Sequence, residues 1–190
     1  MSSQILIAVD LDGTLYDAVG SVLQYLKDAH GVYMRRGDVT TMNLAEFTPD
    51  REVNGFLLNL LRDSEFYANM KPFDYAWEAV SLLNELGPVI AMTKRDPKVK
   101  AATRIALTRD FGPMIRDVSF AENGPQEAKR KHVSYMFEDN QQRALAYARR
   151  QITTYAIGGS TLSYHSNFYR PTQNILTGAR ELKKAREGWE

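Results

Sequence analysis

Short apolar runs that alternate with helical patterns constrain the fold of this 190-residue chain more than any other feature. Two of them, residues 5–9 and 89–92, are almost continuously apolar, as expected of strands that are covered on both faces. Strands are predicted at residues 5–9, 89–92, 133–137 and 152–157, with a weaker one at 118–121. Because strands alternate with helices, we predict an α/β fold: a parallel sheet with helices on both faces.

The segments between the strands carry apolar residues at helical spacing. The clearest is 73–86, where apolar residues recur at i, i+3 and i+4 and Gly87-Pro88 ends the pattern. Helices are also predicted over residues 97–107, 141–150 and 175–186. The length and the hydrophobic fraction of 44% are those of one globular domain with its own core.

Residues 17–70 interrupt this alternation. They contain helical patterns at 19–29 and 53–61, separated by a polar stretch, and no buried strand is evident. This segment is too long for a simple connection. We therefore predict a small helical cap over residues 17–70, inserted after the first strand, with residues 1–16 and 71–190 as the core domain. A single crossover helix followed by a disordered stretch is the alternative.

A second irregular segment covers residues 158–174 and contains several aromatic and basic side chains. Long loops of this composition at the carboxyl end of a strand are often functional. A surface crossover whose aromatic residues pack on the edge of the sheet is the equal alternative.

Charge and targeting signals exclude several classes of protein. The formal net charge of +1 provides no general attraction for nucleic acid or for an anionic membrane. The first residues lack the basic region and cleavage site of a signal peptide, and no apolar stretch reaches the roughly 20 residues of a membrane-spanning helix. Cysteine is absent, which is compatible with either redox compartment. We expect a soluble, cytoplasmic protein.

Two carboxylates, Asp10 and Asp12, directly follow the first predicted strand. At a strand end they can converge on one hard cation, and Mg²⁺ prefers oxygen ligands that include water and substrate phosphate. Gly13 permits a sharp turn, in which backbone N–H groups such as that of Leu11 can bind phosphate oxygens. A plain turn is the alternative. A calcium loop is excluded, because neither its sixth-position Gly nor its twelfth-position Glu is present.

Further polar residues follow or precede other predicted strands. Thr93 ends the strand at 89–92 and offers a hydroxyl for a phosphate oxygen, while Glu138 and Asp139 form a second acidic pair after the strand at 133–137. Lys129 and Lys131 precede that strand, and either can neutralise phosphate. Each residue alone has an ordinary structural explanation. Together they indicate phosphoryl chemistry, because the carboxyl ends of parallel strands meet at one edge of the sheet.

The run from Ile7 to Leu15 resembles the first motif of the haloacid dehalogenase-like (HAD) phosphohydrolase superfamily, hydrophobic residues followed by Asp-x-Asp-Gly-Thr. Thr93 is similar to the second motif, and the acidic pair 138–139 to the fourth. The third motif, a single Lys, is matched by Lys129 or by Lys131, and the spacing favours Lys129. The resemblance covers residues 5–150 and implies a Rossmann-like core with a cap inserted after the first motif.

The resemblance implies covalent catalysis dependent on Mg²⁺. Asp10 attacks phosphorus and forms an aspartyl-phosphate, and Asp12 serves as general acid and then as general base. The metal is held by Asp10, the backbone carbonyl of Asp12, and Asp139 with help from Glu138. Family members that dehalogenate lack the second Asp, so a phosphatase is implied. The residues expected to bind the phosphoryl group are Leu11, Thr14, Thr93, Lys94 and either Lys129 or Lys131.

The substrate is expected to be a small phosphorylated molecule. The short chain, the small cap and residues 66–74 look similar to the 5′(3′)-deoxyribonucleotidases, although Thr93-Lys94-Arg95 stands where those enzymes have Thr-Ser-Pro. Lys94 and Arg95 either contact a second anionic group of the substrate or face water. A sugar phosphate or other small metabolite, a nucleic-acid terminal phosphate, and a non-catalytic binding role on the same fold are the alternatives. The aromatic residues of the cap that could stack on a nucleobase, or instead form its core, are Phe47, Phe56, Phe66 and Tyr67.

Overall fold

The computed structural model describes residues 5–39, 47–158 and 167–188, and its centre is a six-stranded sheet. The strands lie in the order β3-β2-β1-β4-β5-β6, and every neighbouring pair is parallel. Their bounds are β1 Ile7–Val9, β2 Val89–Thr93, β3 Ile115–Phe120, β4 Tyr135–Glu138, β5 Thr153–Ile157 and β6 Tyr169–Thr172. The predicted parallel α/β sheet is confirmed.

The described residues also contain eight α-helices, several of which begin at a capping side chain. Asp17, Asp50 and Asn140 each accept a hydrogen bond from a backbone N–H of the first turn that follows, which satisfies groups that a helix start leaves open. The helices are α1 Ala18–His30, α2 Arg51–Leu58, α3 Ser64–Asn69, α4 Ala76–Leu86, α5 Lys100–Phe111, α6 Gly124–Arg130, α7 Gln141–Ala148 and α8 Ile175–Glu187. None of these is long and apolar enough to cross a bilayer.

Successive residues of β1 point into opposite layers of the core. Ile7 and Val9 belong to an apolar cluster that includes residues of α4, α5 and α8. Ala8 belongs to a second cluster, on the other face, with residues of α6 and α7. All three are fully buried. This burial on both faces is why β1 is almost continuously apolar in the sequence.

Strand β6 falls within residues 158–174, which were predicted as an irregular segment, so that prediction was wrong for residues 169–172. β6 lies at the edge of the sheet. Pro171 cannot donate a backbone hydrogen bond and Arg170 is exposed, so the four residues carry no strand signal. Residues 159–166 of that segment, including two of its aromatic-ring residues, lie outside the described part of the chain.

In the predicted cap, the described residues form α1, α2 and α3 with short 3₁₀ turns. They enclose a separate apolar cluster, made of Val22, Leu26, Phe47, Val53, Leu57 and Leu60. The chain enters and leaves this segment side by side, because Asp17 N donates to Lys71 O (3.1 Å) and Phe73 N donates to Leu15 O (2.9 Å). Adjacent entry and exit are what an insertion after the first strand requires.

Candidate active site

The candidate site lies at the carboxyl ends of β1, β2 and β4. Strand order reverses beside β1, and ligands of open α/β sheets bind in the crevice at such a point. Val9 pairs in register with Phe137 of β4 and with Ala91 of β2. Asp10 therefore lies beside the acidic pair that ends β4, and Thr93 ends β2 next to it. The sheet register brings together the strand-end residues that the sequence singled out.

Three carboxylates, of Asp10, Glu138 and Asp139, form a compact acidic group. Their ligand oxygens lie within 4.8 Å of one another. Asp10 Oδ2 and Asp139 Oδ1 are buried and find no hydrogen-bond partner among the described residues. An all-oxygen donor set with unpartnered buried oxygens fits Mg²⁺, which takes carboxylate ligands and keeps further positions for water and phosphate.

Burial and mutual repulsion make this group costly to charge without a cation. Desolvation and the neighbouring Glu138 carboxylate raise the pKa of Asp10 well above its usual range. Burial, together with Asp139, raises the pKa of Glu138 to about 8. The pKa of Asp139 is also raised, chiefly by burial. A cation bound here therefore stabilises the ionised carboxylates and releases protons.

Arg143, which the sequence analysis did not single out, supplies positive charge to the acidic group. Its Nη2 lies 2.9 Å from Glu138 Oε1, 3.7 Å from Asp10 Oδ2 and 3.8 Å from Asp139 Oδ1. Burial lowers the pKa of Arg143, but the three carboxylates raise it overall. Asn140 caps α7 by accepting from Arg143 N (3.0 Å), so the arginine stands on the first turn directly after β4. The signal available in the sequence was a basic residue on the first turn after the acidic pair.

Asp12 forms a two-pronged ion pair with Arg95. Arg95 Nε donates to Asp12 Oδ2 (2.9 Å) and Nη2 donates to Oδ1 (2.6 Å). The arginine side chain is 1% exposed and packs against the rings of Tyr16 and Tyr67, with its Cζ 5.4 and 4.6 Å from their centroids. Its Nη1 also donates to Thr103 Oγ1 (3.2 Å). Both predictions for Arg95 are therefore wrong. Its guanidinium is buried rather than exposed to water, and it pairs with the Asp12 carboxylate rather than with an anionic group of the substrate.

The turn after β1 requires glycine at position 13. Gly13 has a φ of +87°, and its N–H donates to Tyr16 O (2.9 Å). A Cβ at this position would lie 2.0 Å from Asp139 Oδ2. The turn and the acidic pair therefore fit together only because residue 13 has no side chain. Thr14 follows, and its buried Oγ1 has no hydrogen-bond partner among the described atoms.

Gly13→Ala is expected to lower the free energy of unfolding by at least about 1–2 kcal/mol, the cost of a left-handed backbone for a non-glycine residue. It should also weaken Mg²⁺ binding, because the new methyl group displaces the Asp139 carboxylate. Urea unfolding and Mg²⁺ titration calorimetry measure the two effects. Gly55→Ala in α2 is the matched control, since nothing lies within 4 Å of a Cβ there and stability should hold or rise. Wild-type Mg²⁺ affinity in Gly13→Ala would contradict the assignment of Asp139 as a ligand.

A cavity of about 930 Å³ opens over the carboxylates. Its core side is lined by Asp10, Asp12, Thr93, Lys94 and Arg143, among others. Its other wall comes from the predicted cap and is mostly apolar, with Val22, Phe66, Tyr67 and Met70. A volume of this size accommodates a ligand as large as a mononucleotide.

The two predicted lysines do not line this cavity. Lys129 is exposed on the last turn of α6, and Lys131 Nζ lies 3.6 Å from Asp117 Oδ2 and 3.9 Å from Glu127 Oε1. The reason is the direction of α6: it follows β3, so it starts at the carboxyl edge of the sheet and runs back toward the amino edge. Its first residue, Gly124, lies beside Asp10, and its end leads into Ser134, whose N–H donates to Leu6 O before β1 (2.8 Å). The prediction that Lys129 or Lys131 binds phosphate is therefore corrected.

Two of the predicted aromatic contacts belong to the core of the cap segment. Phe47 is fully buried in its apolar cluster, and Phe56 stacks on His30 with ring centroids 4.1 Å apart. Neither lines the cavity, so their expected contact with substrate is corrected. Tyr67 and Phe66 do line the cavity. Thr93 is also in place, 4% exposed, with its Oγ1 accepting from Arg95 N (3.2 Å).

Comparisons with known proteins place the fold. No family model matches the chain. Relatives from two strains of Staphylococcus epidermidis, each named "Putative 5′(3′)-deoxyribonucleotidase", are 23% identical over 138 residues, which is 70% of this chain and 73% of theirs. Among solved structures, a haloacid dehalogenase-like hydrolase from Streptococcus pneumoniae superposes with a TM-score of 0.65 at 16% identity, over 96% of this chain and 100% of that one. An L-2-haloacid dehalogenase superposes with a TM-score of 0.58 at 13% identity, over 95% and 99%. The predicted resemblance is confirmed at the level of the fold.

Proposed function

We propose that this chain, which has the fold of the haloacid dehalogenase-like hydrolases, is a Mg²⁺-dependent phosphomonoesterase that acts on nucleoside monophosphates. The observation that carries the proposal is the position of Asp10: its side chain is buried, its Oδ2 has no hydrogen-bond partner among the described residues, and it opens on the cavity. A second carboxylate, Asp12, lines the same cavity two residues further along.

In the proposed reaction, Asp10 Oδ2 attacks phosphorus, forming an acyl-phosphate bond as the bond from phosphorus to the ester oxygen breaks. Asp12 transfers a proton to the leaving oxygen, then takes one from the water that hydrolyses the aspartyl-phosphate. The hydroxyls of Thr14 and Thr93 orient the phosphoryl oxygens. Asp10 and Asp139, with Glu138, would hold Mg²⁺, whose positive charge would offset the negative charge of the transferring phosphoryl group. Free Asp10 and inorganic phosphate are restored at the end.

Arg95 determines where the Asp12 carboxylate points. Two hydrogen bonds from a planar guanidinium fix the plane of the carboxylate, and the guanidinium itself packs against two tyrosine rings. The carboxylate is thereby held in one orientation before substrate arrives, which lowers the entropic cost of reaching the transition state. Both of its oxygens accept from Arg95, so one of these hydrogen bonds must break when Asp12 takes up the proton that it passes to the leaving oxygen.

Two features support a nucleotide as the substrate. The cap wall of the cavity offers the rings of Phe66 and Tyr67 beside Val22 and Met70, and nucleobases pack favourably on such surfaces. The relatives over most of the chain are named as deoxyribonucleotidases. Lys94 and Asp96 line the same cavity, where polar groups of a sugar or base can be bound.

The test is a panel of phosphate esters assayed with Mg²⁺ for phosphate release. It should contain deoxyribonucleoside and ribonucleoside monophosphates, sugar phosphates and a 5′-phosphorylated oligonucleotide, with an L-2-haloacid assayed for halide release. We expect the highest kcat/KM for deoxyribonucleoside monophosphates and loss of turnover with EDTA, restored by Mg²⁺. A preference for sugar phosphates would contradict the substrate, and halide release without phosphate release would contradict the reaction.

A further inference from the structure

The acidic group needs a positive side chain that the first turn of α6 cannot supply. Gly124 stands there beside Asp10, and a Cβ on it would lie 2.3 Å from the Tyr147 hydroxyl. That space is closed to a side chain at position 124. Lys129 and Lys131 lie at the other end of the helix, as described above.

Arg143 meets this need from α7, with part of its guanidinium still available. Its Nη2 contacts the three carboxylates, but its Nε is buried and has no partner among the described residues. A buried, charged donor without a partner is unfavourable until a ligand satisfies it. Arg143 lines a small recess together with Asp10, Thr93 and Lys94. An anion attached to Asp10 Oδ2 would lie close to Arg143, because Nη2 of the arginine is 3.7 Å from that oxygen.

The contacts of Arg143 also overlap with those of a metal. Glu138 Oε1, which accepts from Arg143 Nη2 at 2.9 Å, belongs to the acidic group whose oxygens can hold a cation. A guanidinium and a divalent ion on the same carboxylates repel each other strongly at such distances. Binding of the ion therefore favours movement of Arg143 away from Glu138, and its planar fork of donors suits phosphate oxygens as well as carboxylate oxygens.

We propose that Arg143 is an exchangeable counter-cation: it neutralises the acidic group when no metal is bound, and it binds the phosphoryl group once Mg²⁺ occupies the carboxylates. The inference rests on the proposed function, because it identifies the side chain that binds phosphate at that site. It requires that Mg²⁺ and phosphate each strengthen the binding of the other, by the same factor. Release of Arg143 from the carboxylates then adds to the direct attraction between Mg²⁺ and phosphate.

Titration calorimetry with Mg²⁺ alone, inorganic phosphate alone, and each in the presence of the other measures the coupling directly. In the wild type we expect Mg²⁺ to raise phosphate affinity about tenfold. In Arg143→Gln we expect Mg²⁺ alone to bind about fivefold more tightly, because its competitor is gone, while phosphate with Mg²⁺ binds about tenfold more weakly. Arg143→Lys keeps the charge and should retain part of the coupling.

Arg130→Gln, which removes an exposed arginine of α6 paired with Glu127, is the matched control and should behave as the wild type. Circular dichroism establishes whether each variant is folded. If Arg143→Gln is not folded, the coupling is measured in Arg143→Lys instead. Unchanged Mg²⁺ affinity in Arg143→Gln, or no coupling in the wild type, would overturn the inference. If the wild type still releases phosphate in the presence of Mg²⁺, either result leaves the proposed function intact. If the wild type does not release phosphate, the proposed function itself is contradicted.

Discussion

Asp10→Asn is expected to lower the kcat of Mg²⁺-dependent phosphate release on the order of 10⁶-fold, the loss that follows removal of the nucleophile in a covalent mechanism. The amide has nearly the same shape as the carboxylate, so the cavity and the neighbouring strand pairing should be kept. What is lost is the oxygen that attacks phosphorus. Steady-state phosphate release from a deoxyribonucleoside monophosphate measures the effect.

The same substitution should not destabilise the metal-free protein. Burial and the nearby Glu138 disfavour the ionised form of Asp10, which is why the pKa of Asp10 is raised. In the native state the carboxylate therefore stays protonated to a higher pH than in the unfolded state, and ionising it costs stability as the pH rises. A neutral amide removes this cost. We expect the free energy of unfolding of Asp10→Asn at neutral pH to equal or exceed that of the wild type.

A trapping experiment separates loss of the nucleophile from other causes of inactivity. Acid quenching of the wild type during turnover of a ³²P-labelled substrate should leave labelled protein, and Asp10→Asn should leave none. Asp117→Asn, which neutralises a half-exposed carboxylate on β3, is the control and should keep wild-type turnover and labelling. Near-normal turnover in Asp10→Asn, or labelling of that variant, would show that another residue is the nucleophile.

The predictable parts of the fold are those in which local pattern and tertiary burial agree. β1, β2, β4 and β5 are mostly buried on both faces, so their apolar runs are visible without knowledge of their neighbours. β6 is an edge strand with a proline and an exposed arginine, and only its pairing with β5 identifies it. A four-residue strand of this kind carries no period that a sequence pattern could reveal.

The residues of the candidate site likewise divide into those that the sequence predicts and those that it does not. Asp10, Asp12, Thr93 and the pair at 138–139 were predictable because each follows a strand, and parallel strands end at one edge. The two arginines were not. Arg95 is buried by contacts from Tyr16 and Tyr67, which come from distant parts of the chain, and Arg143 depends on how α7 starts after β4. The position of the two lysines follows from the order of the elements, since a helix that follows a parallel strand must run away from the carboxyl edge.

Asp12→Asn is expected to reduce kcat on deoxyribonucleoside monophosphates by about 10²–10⁴-fold, the contribution of a general acid and base. The effect on stability has a separate origin. The variant leaves Arg95, with a side chain 1% exposed, without its counter-charge. Since Asp12 itself is 30% exposed, we expect a cost below the roughly 3–5 kcal/mol of a fully buried pair, about 2 kcal/mol.

Two experiments distinguish catalysis by Asp12 from a structural role in holding Arg95. Adding Arg95→Met to Asp12→Asn removes the unpaired charge and replaces it with an apolar side chain among aromatic rings, so urea unfolding should show recovered stability while turnover stays low. The second experiment uses p-nitrophenyl phosphate, whose leaving group departs without a proton. In single-turnover measurements, Asp12→Asn should then lose much less of its rate of aspartyl-phosphate formation with this substrate than with a nucleotide. Recovery of nucleotide turnover in the double variant, or an equal loss on both substrates, would assign Asp12 a structural role and leave the source of the proton to another group of the cavity.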